Sequence, residues 1–257
     1  MRHFLLSTFF LFLSVATGCC EPVEILLAYE DTALPPFYLG EGEVIPEKPG
    51  IAVDILKRVD SRLDEISISF RRKPWERCKF ELKKGKVDGI FPASFKPARM
   101  EIGVYPMAAG TVDRSSSLVS LSYYFYVMKG TNHLWDGGNF YVNGRIGVPT
   151  GYSVASDLKR KGYLIDDTAA TTKQTLMKLA GGRVQAVAAQ DVTADPIIRK
   201  EPEFSNIVKL SPAINTKPNY LIFSHQFNKK HRVLVERIWQ TISIVIEEES
   251  LDLHSEY

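Results

Sequence analysis

Ser94 and Arg99 stand five positions apart in the segment Val87 to Arg99, VDGIFPASFKPAR, where a short apolar run ends in small residues and then meets a hydroxyl and a guanidinium. Arginine offers a rigid planar fork of N–H donors that matches the two oxygens of a carboxylate, and a neighbouring hydroxyl adds another donor. The pair reads as one half of a carboxylate clamp. The competing reading is a surface Arg99 paired with Glu101, an arrangement that contributes little. A second hydroxyl, Ser153 in Gly151-Tyr152-Ser153-Val154-Ala155, sits between an expected strand and an expected helix and imitates the nucleophile elbow G-x-S-x-G. The final glycine is missing, and His225, His231 and His254 have no convincing acid partner. Without a base the hydroxyl is a poor nucleophile, so Ser153 reads as a helix start that donates to a ligand. There is no Gly-rich phosphate loop, no H-E-x-x-H run and no Cys/His spacing of a metal site, so neither cofactor nor metal is expected.

These residues need elements to carry them. Val23 to Tyr29 is a β-rich run, followed by the breakers Leu34-Pro35-Pro36-Phe37 and a Gly/Glu/Pro loop reaching Gly50. Ala52, Ile55, Leu56, Val59 and Leu63 then recur at helical spacing from about Ile51, and Ile66, Ile68 and Phe70 alternate as a half-buried strand. Pro74 opens the next helix, where its missing N–H has no intrahelical partner; Gly85 ends it, and Val87 to Ala93 supplies another strand. This β-α-β-α-β order predicts a mainly parallel sheet whose strand ends face a crevice. A second unit repeats it: strand Ile146 to Val148, helix Ser153 to Lys161, a helix capped by Thr171-Thr172 that carries Leu176 and Leu179, and a buried strand Val184 to Ala189 after Gly181-Gly182. Leu118 to Met128 and Tyr220 to Ser224 are the expected crossovers. A long amphipathic helix with Leu234, Ile238, Ile242 and Val245 closes the chain, and its acidic end, Glu247 to Glu249, opposes the helix dipole and is expected to fray.

The chain has 257 residues, 45% hydrophobic and 24% charged, enough to build a core in one or two domains. Residues 1–18 differ: Arg2 and His3 precede the apolar run Phe4 to Val15, with small residues after it, the layout of a secretory signal peptide. The expectation is export and removal of the leader; the rival is an N-terminal anchor that stays attached. Cleavage after Gly18 would leave Cys19 first, and Ala-Thr-Gly-Cys resembles a degenerate bacterial lipobox, so a lipid tether at Cys19 stays open beside a free protein. Cys78, within a helical pattern, reads as a buried thiol without a reactive role. The 32 basic and 30 acidic residues nearly balance, which argues against nucleic acid as a partner. Locally, residues 71–86 carry eight Lys/Arg against Glu76 and Glu81. Trp75, Cys78 and Leu82 recur there at helical spacing, so these charges read as a solvated helix face, with docking of an acidic partner as the alternative.

Taken in order, Pro36-Phe37, Gly50-Ile51-Ala52-Val53-Asp54, Gly85-Lys86-Val87-Asp88-Gly89, Ser94 to Arg99 and Gly182-Arg183-Val184 with Ala186-Val187 make the chain from Val23 to Tyr257 resemble the bacterial family 3 solute-binding proteins. These are periplasmic receptors that commonly serve polar amino-acid transporters. Pro74-Trp75-Glu76-Arg77 looks like a divergent branch. The resemblance implies the α/β periplasmic-binding-protein type II fold: two lobes, each a mainly parallel sheet flanked by helices, joined by two crossover strands. Lobe 1 would comprise residues 21–113 with 218–257, and lobe 2 residues 114–217. Ligand held between the lobes would drive closure. Carried over by position, Arg99 holds the ligand carboxylate, Ser94 donates beside it, and Trp75 packs on the ligand or serves as core. Asp31 contacts a ligand side chain or is a turn residue. Gly151, Tyr152 and Ser153 match the start of a helix whose N–H groups face the same carboxylate.

The sequence also departs from that pattern. Where amino-acid receptors place an acidic residue against the ligand ammonium stands Gln190, with Asp191 one step later; a one-residue shift points a strand-end side chain the other way, and Asp191 reads equally as a helix N-cap. Leu34 replaces an aromatic wall, Lys96 a common threonine, and Pro92 removes a backbone donor. The expectation is therefore a monomeric, non-enzymatic receptor for a small polar or anionic solute, presented to a membrane permease. A sensory module acting on a membrane signalling protein is the alternative, and a dehydratase-like enzyme on the same scaffold a weaker one.

Overall fold

A computed structural model describes residues 21–255. The expected leader, residues 1–18, and Cys19 lie outside the described residues. One eight-stranded sheet runs through the molecule, built from β1 (Val23–Glu30), β2 (Ile66–Lys73), β3 (Gly89–Ser94), β4 (Val119–Met128), β5 (Arg145–Pro149), β6 (Leu164–Ala169), β7 (Ala186–Gln190) and β8 (Ile207–Phe223). Their spatial order is β6-β5-β7-β4-β8-β3-β1-β2. In lobe 1, β1 is parallel to β2 and β3; in lobe 2, β5 is parallel to β6 and β7. The antiparallel pair β4 and β8 passes between them, β4 carrying the chain into lobe 2 and β8 returning it.

The helices are α1 (Ile51–Arg62), α2 (Trp75–Lys83), α3 (Ser153–Arg160), α4 (Thr172–Ala180), α5 (Asp191–Lys200) and α6 (His225–Ser255). They cover both faces of each lobe because successive side chains of a strand alternate sides. Ile25, Leu27 and Tyr29 of β1 pack with α1 and α6, whereas Ala28 packs with Trp75, Cys78 and Leu82 of α2. Lobe 2 repeats this: Phe125 and Val127 join α3 residues Val154 and Leu158, and Tyr126 joins Leu176 and Leu179 of α4. The helical spacing read at 75, 78 and 82 therefore marks a buried stripe, and Lys83, Lys84 and Lys86 stay exposed beside it.

Three local features differ from the sequence expectation. The edge strand β6 carries Asp166, Asp167 and Thr168 and buries only Ala169, so it lacks the apolar alternation that would announce it. The second crossover begins at Ile207, well before Tyr220, because the part that spans the lobes is half-exposed and polar. The acidic end of α6 is helical and paired: Glu249 pairs with Arg58 and Arg62 of α1, and Glu248 lies 2.8 Å from Arg62, so α1 cations offset the unfavourable dipole.

Candidate functional site

The cleft lies where the strands of both lobes end. Past the end of β3, a 3₁₀ turn at Pro97–Glu101 folds Arg99 back over the strand, which is why a spacing of five brings it to Ser94. Its Nη1 donates to the Ser94 carbonyl at 2.8 Å and the Ser94 hydroxyl at 3.0 Å, and Nη2 donates across the cleft to the Gly151 carbonyl at 3.0 Å. The guanidinium lies over the Trp75 ring, 5.6 Å from its centroid, so Trp75 is at once lobe 1 core and cleft wall. The guanidinium is thus engaged with Ser94 and Gly151, and among the described residues it makes no ion pair with Glu101.

Lobe 2 meets this group through the turn from β5 into α3. Gly151 takes φ +78°, a conformation that disfavours any residue with a Cβ, and the Glu76 and Lys79 side chains of α2 rest against it from lobe 1. Tyr152 occupies the helix N-cap position and supplies no side-chain cap to the N–H groups of the first turn, which follows directly on the Gly151 carbonyl that Arg99 holds. The Ser94 hydroxyl donates to the Ser153 hydroxyl at 2.8 Å, and Lys217 of β8 donates to the same oxygen at 3.1 Å while pairing with Asp157. Burial, and then Arg99, Lys79 and Lys217, push the Lys96 ammonium down to about 8, which reflects the cationic surroundings of this end of the cleft.

At the other end stands Glu30, the last residue of β1. It is buried, and its Oε2 accepts from the Tyr152 hydroxyl at 2.9 Å and from the Tyr38 hydroxyl at 3.3 Å. Burial lifts the carboxyl to about 7 despite these hydrogen bonds, and Asp31 and Glu41 add to the rise. Arg72, buried and in no ion pair among the described residues, donates to the Gly40 carbonyl at 2.7 Å and the Val44 carbonyl at 3.2 Å and so fastens the loop that carries Tyr38.

Between the two ends is an inner chamber of about 30 Å³, walled by Arg99, Ser94, Trp75, Glu30, Tyr123 and Gln190 among others. That is room for one or two waters. Glu30, Tyr38 and Tyr152 also border an outer chamber of about 500 Å³, lined on one side by Ala33, Pro35 and Glu41 and on the other by residues from Thr171 to Glu201. The lobes meet across the cleft, where Tyr152 donates to Glu30, Ser94 to Ser153, and Arg99 to the Gly151 carbonyl.

Six of the eight residues singled out in the sequence, Arg99, Ser94, Trp75, Tyr152, Ser153 and Gln190, border the inner chamber. Asp31 and Asp191 do not. Neighbouring residues of a strand point to opposite sides, and β1 continues to Glu30, paired with Lys73, so that Glu30 rather than Asp31 faces inward. Asp191 is the first residue of α5 and bonds the Val192 N–H at 2.9 Å, while Gln190 occupies the N-cap position and donates its side-chain amide to the Tyr123 hydroxyl at 3.0 Å. Sequence reasoning missed Glu30, Tyr38, Tyr123 and Asn219 as cleft residues. An acidic residue ending a strongly apolar strand was the available signal for Glu30. Cys78 is buried, with its thiol pushed up to about 12 chiefly by burial. Among the described residues no helix is long and apolar enough to cross a membrane, and no His/Cys/Asp/Glu group could hold a metal ion.

No family model matches the sequence, and no curated protein matches it either. The fold, however, has solved counterparts. A histidine kinase sensor domain with similarity to periplasmic binding proteins superimposes with a TM-score of 0.70 at 15% identity, covering 93% of this chain and 96% of its own. An ancestral arginine-binding protein bound to arginine gives 0.67 at 16% identity, covering 91% and 97%. The substrate-binding protein of an amino acid ABC transporter gives 0.67 at 14% identity, covering 91% and 98%. The chain thus has the two-lobed fold of periplasmic binding proteins.

Proposed function

We propose that the chain is an exported receptor that captures a small, polar, carboxylate-bearing solute between its lobes and reports the capture by closing. The observation that carries this reading is the Arg99 guanidinium, buried at the floor of the cleft beside the Ser94 hydroxyl and opposite the first turn of α3. A carboxylate at that point would receive a charge-assisted fork from one lobe and backbone N–H groups at the positive end of a helix dipole from the other. Only a ligand that touches both lobes can shift the population toward the closed form. In this reading the Gly151 carbonyl, now held by Arg99, yields its place to the ligand as the lobes open and close again.

The leader is the basis for placing the receptor in the periplasm, free or tethered through a lipidated Cys19. Delivery to an ABC-type permease is the principal reading of its partner, in keeping with the amino acid transporter component among the similar structures. Reporting to a membrane signalling protein is the second, favoured by the similarity to a histidine kinase sensor domain. Neither requires the ligand to be altered. The solute is therefore expected to be recovered unchanged after prolonged incubation, and its conversion would point to an enzyme.

The direct test is thermal melting against millimolar amino acids, organic acids and sugars, because a specific ligand raises Tm by mass action. A shift with a carboxylate-bearing solute is expected. Arg99→Ala should then weaken that solute by about 10- to 100-fold, as for loss of a hydrogen bond to a charged group. No shift with any solute, or an affinity indifferent to Arg99→Ala, would remove the reading.

A further inference from the structure

The basic segment that the cleft does not use gathers at the opposite end of lobe 1. α2 runs from Trp75 in the cleft wall to Lys83, and the turn that follows carries Lys84 and Lys86. That turn lies against the start of α6: the Gln226 side chain donates to the Lys83 carbonyl at 3.3 Å, and a Cβ on Gly85 would come within 3.0 Å of the same side chain. Gln226, Lys229 and Lys230 share one helical face and are exposed, so the lysines of both elements form one surface. Among the described residues Lys83, Lys84, Lys86, Lys229 and Lys230 form no ion pair. Acidic groups nearby are engaged elsewhere: Glu65 pairs with Arg237, Glu236 with Arg232, Glu81 with Arg77, and the Asp88 carboxylate accepts the Leu26 N–H at 2.8 Å.

Charge alone would fit a solvated helix face, but apolar groups stand among these lysines. Phe80, one turn before Lys83 and Lys84, is 47% exposed, with the Arg77 guanidinium 5.5 Å and the Lys84 ammonium 6.0 Å from its ring centroid. Val233, one turn beyond Lys229 and Lys230, is 70% exposed. Long cations around an exposed aromatic ring suit a boundary between water and hydrocarbon, where the ring enters the headgroup layer and the ammonium groups meet phosphates. The place where the chain enters the fold points the same way. A surface hollow of about 510 Å³ is bordered by Glu21, Val23 and Glu65 together with Lys229, Lys230 and Val233. Glu21 follows Cys19 by two positions, so a lipid at Cys19 would hold this same face toward a bilayer.

We propose that this end of lobe 1 is a docking surface for an anionic lipid bilayer, with the five lysines on headgroup phosphates and Phe80 seated among them. The inference goes beyond the receptor reading and does not depend on which solute is bound. It also fixes an orientation. β1 starts at Val23 beside this surface and ends at Glu30 in the cleft, and its eight residues span about 25 Å. The docked protein therefore holds its cleft toward the aqueous side, in a posture for capture, and must leave the surface or turn over to pass a solute into the membrane.

Co-sedimentation with vesicles tests this on the chain from Glu21 onward, which contains every described strand and helix and lacks Cys19, so no acyl chain contributes. At low ionic strength it should bind phosphatidylcholine vesicles containing about 30 mol% phosphatidylglycerol but not pure phosphatidylcholine, and about 0.5 M salt should release it. Lys83→Gln, Lys84→Gln and Lys86→Gln together should weaken binding by about tenfold or more, and Lys229→Gln with Lys230→Gln by about fivefold or more, from the attraction of each basic residue to an anionic surface. Phe80→Ala should lower the affinity and leave its salt dependence unchanged. Melting confirms that each variant is folded, and solute affinity serves as a control because none of these residues borders either chamber. Absence of binding to the anionic vesicles, equal binding to neutral ones, or an affinity that survives the lysine substitutions would overturn the proposal. Binding to soluble polyglutamate without binding to anionic vesicles would overturn it in favour of an acidic protein partner. Each of these outcomes leaves the receptor reading intact.

Discussion

Glu30 sets a pH dependence that can be worked out at the level of one residue. Its carboxyl is lifted from 4.5 to about 7 in the folded protein, chiefly by burial. Between those values the folded state keeps a proton that the unfolded chain has released, so stability falls as pH rises through the window and levels off above it. The accumulated loss is of the order of 3 kcal/mol, from the free-energy equivalent of the shift. Glu30→Gln, which cannot ionise, should flatten that part of the profile. Chemical denaturation of both proteins at about pH 5 and about pH 8 measures it, and a variant that keeps the wild-type slope would exclude Glu30 as its source.

At the scale of elements, the loop between β1 and α1 builds one wall of the site and depends on a single backbone position. Gly50 adopts φ +108° immediately before α1, and a Cβ there would lie 2.5 Å from the Tyr38 Cα and 2.6 Å from the Phe37 carbonyl oxygen. Those neighbours are backbone and cannot move aside without shifting Leu34 and Tyr38, which border the inner chamber. Gly50→Ala should therefore destabilise the protein by more than about 2 kcal/mol, combining a disfavoured φ with a close contact. It should also weaken the solute identified by melting. Urea denaturation and titration of the variant read the two effects separately, and a fold of wild-type stability would refute the argument.

For the whole molecule the relevant quantity is the balance between open and closed lobes. The lobes are joined across the cleft by Tyr152 to Glu30, Ser94 to Ser153 and Arg99 to Gly151. A hydrogen bond to a charged group contributes about 1.5–3 kcal/mol net. Removing the Tyr152 hydroxyl with Tyr152→Phe should shift the open-to-closed ratio by about 10- to 100-fold, by population arithmetic. Small-angle scattering should show a larger radius of gyration for the ligand-free variant than for ligand-free wild type. Superimposable scattering curves would mean that the Tyr152 contact does not hold the lobes.

Local order decided much of what was legible before any coordinates. The change from period two to period three or four between Glu24 and Gly85 announces β1, α1, β2 and α2, because alternation and helical spacing are properties of short segments. The Ser94–Arg99 contact belongs to the same class, since one strand end and the adjoining turn bring both groups together. Cleft residues supplied by distant segments are another matter. Tyr123 and Asn219 arrive on the two crossing strands, and β8 shows no apolar repeat where it spans the lobes, so only the pairing of β4 with β8 locates them. The choice between Glu30 and Asp31 depends on where β1 stops pairing with β2, and that is set by the sheet. Residue types and spacing thus determined most of the elements and the Ser94–Arg99 end of the cleft. The tertiary structure alone decided which carboxylate faces the opposite end, because a side chain's direction at a strand terminus follows from register and packing against the other lobe.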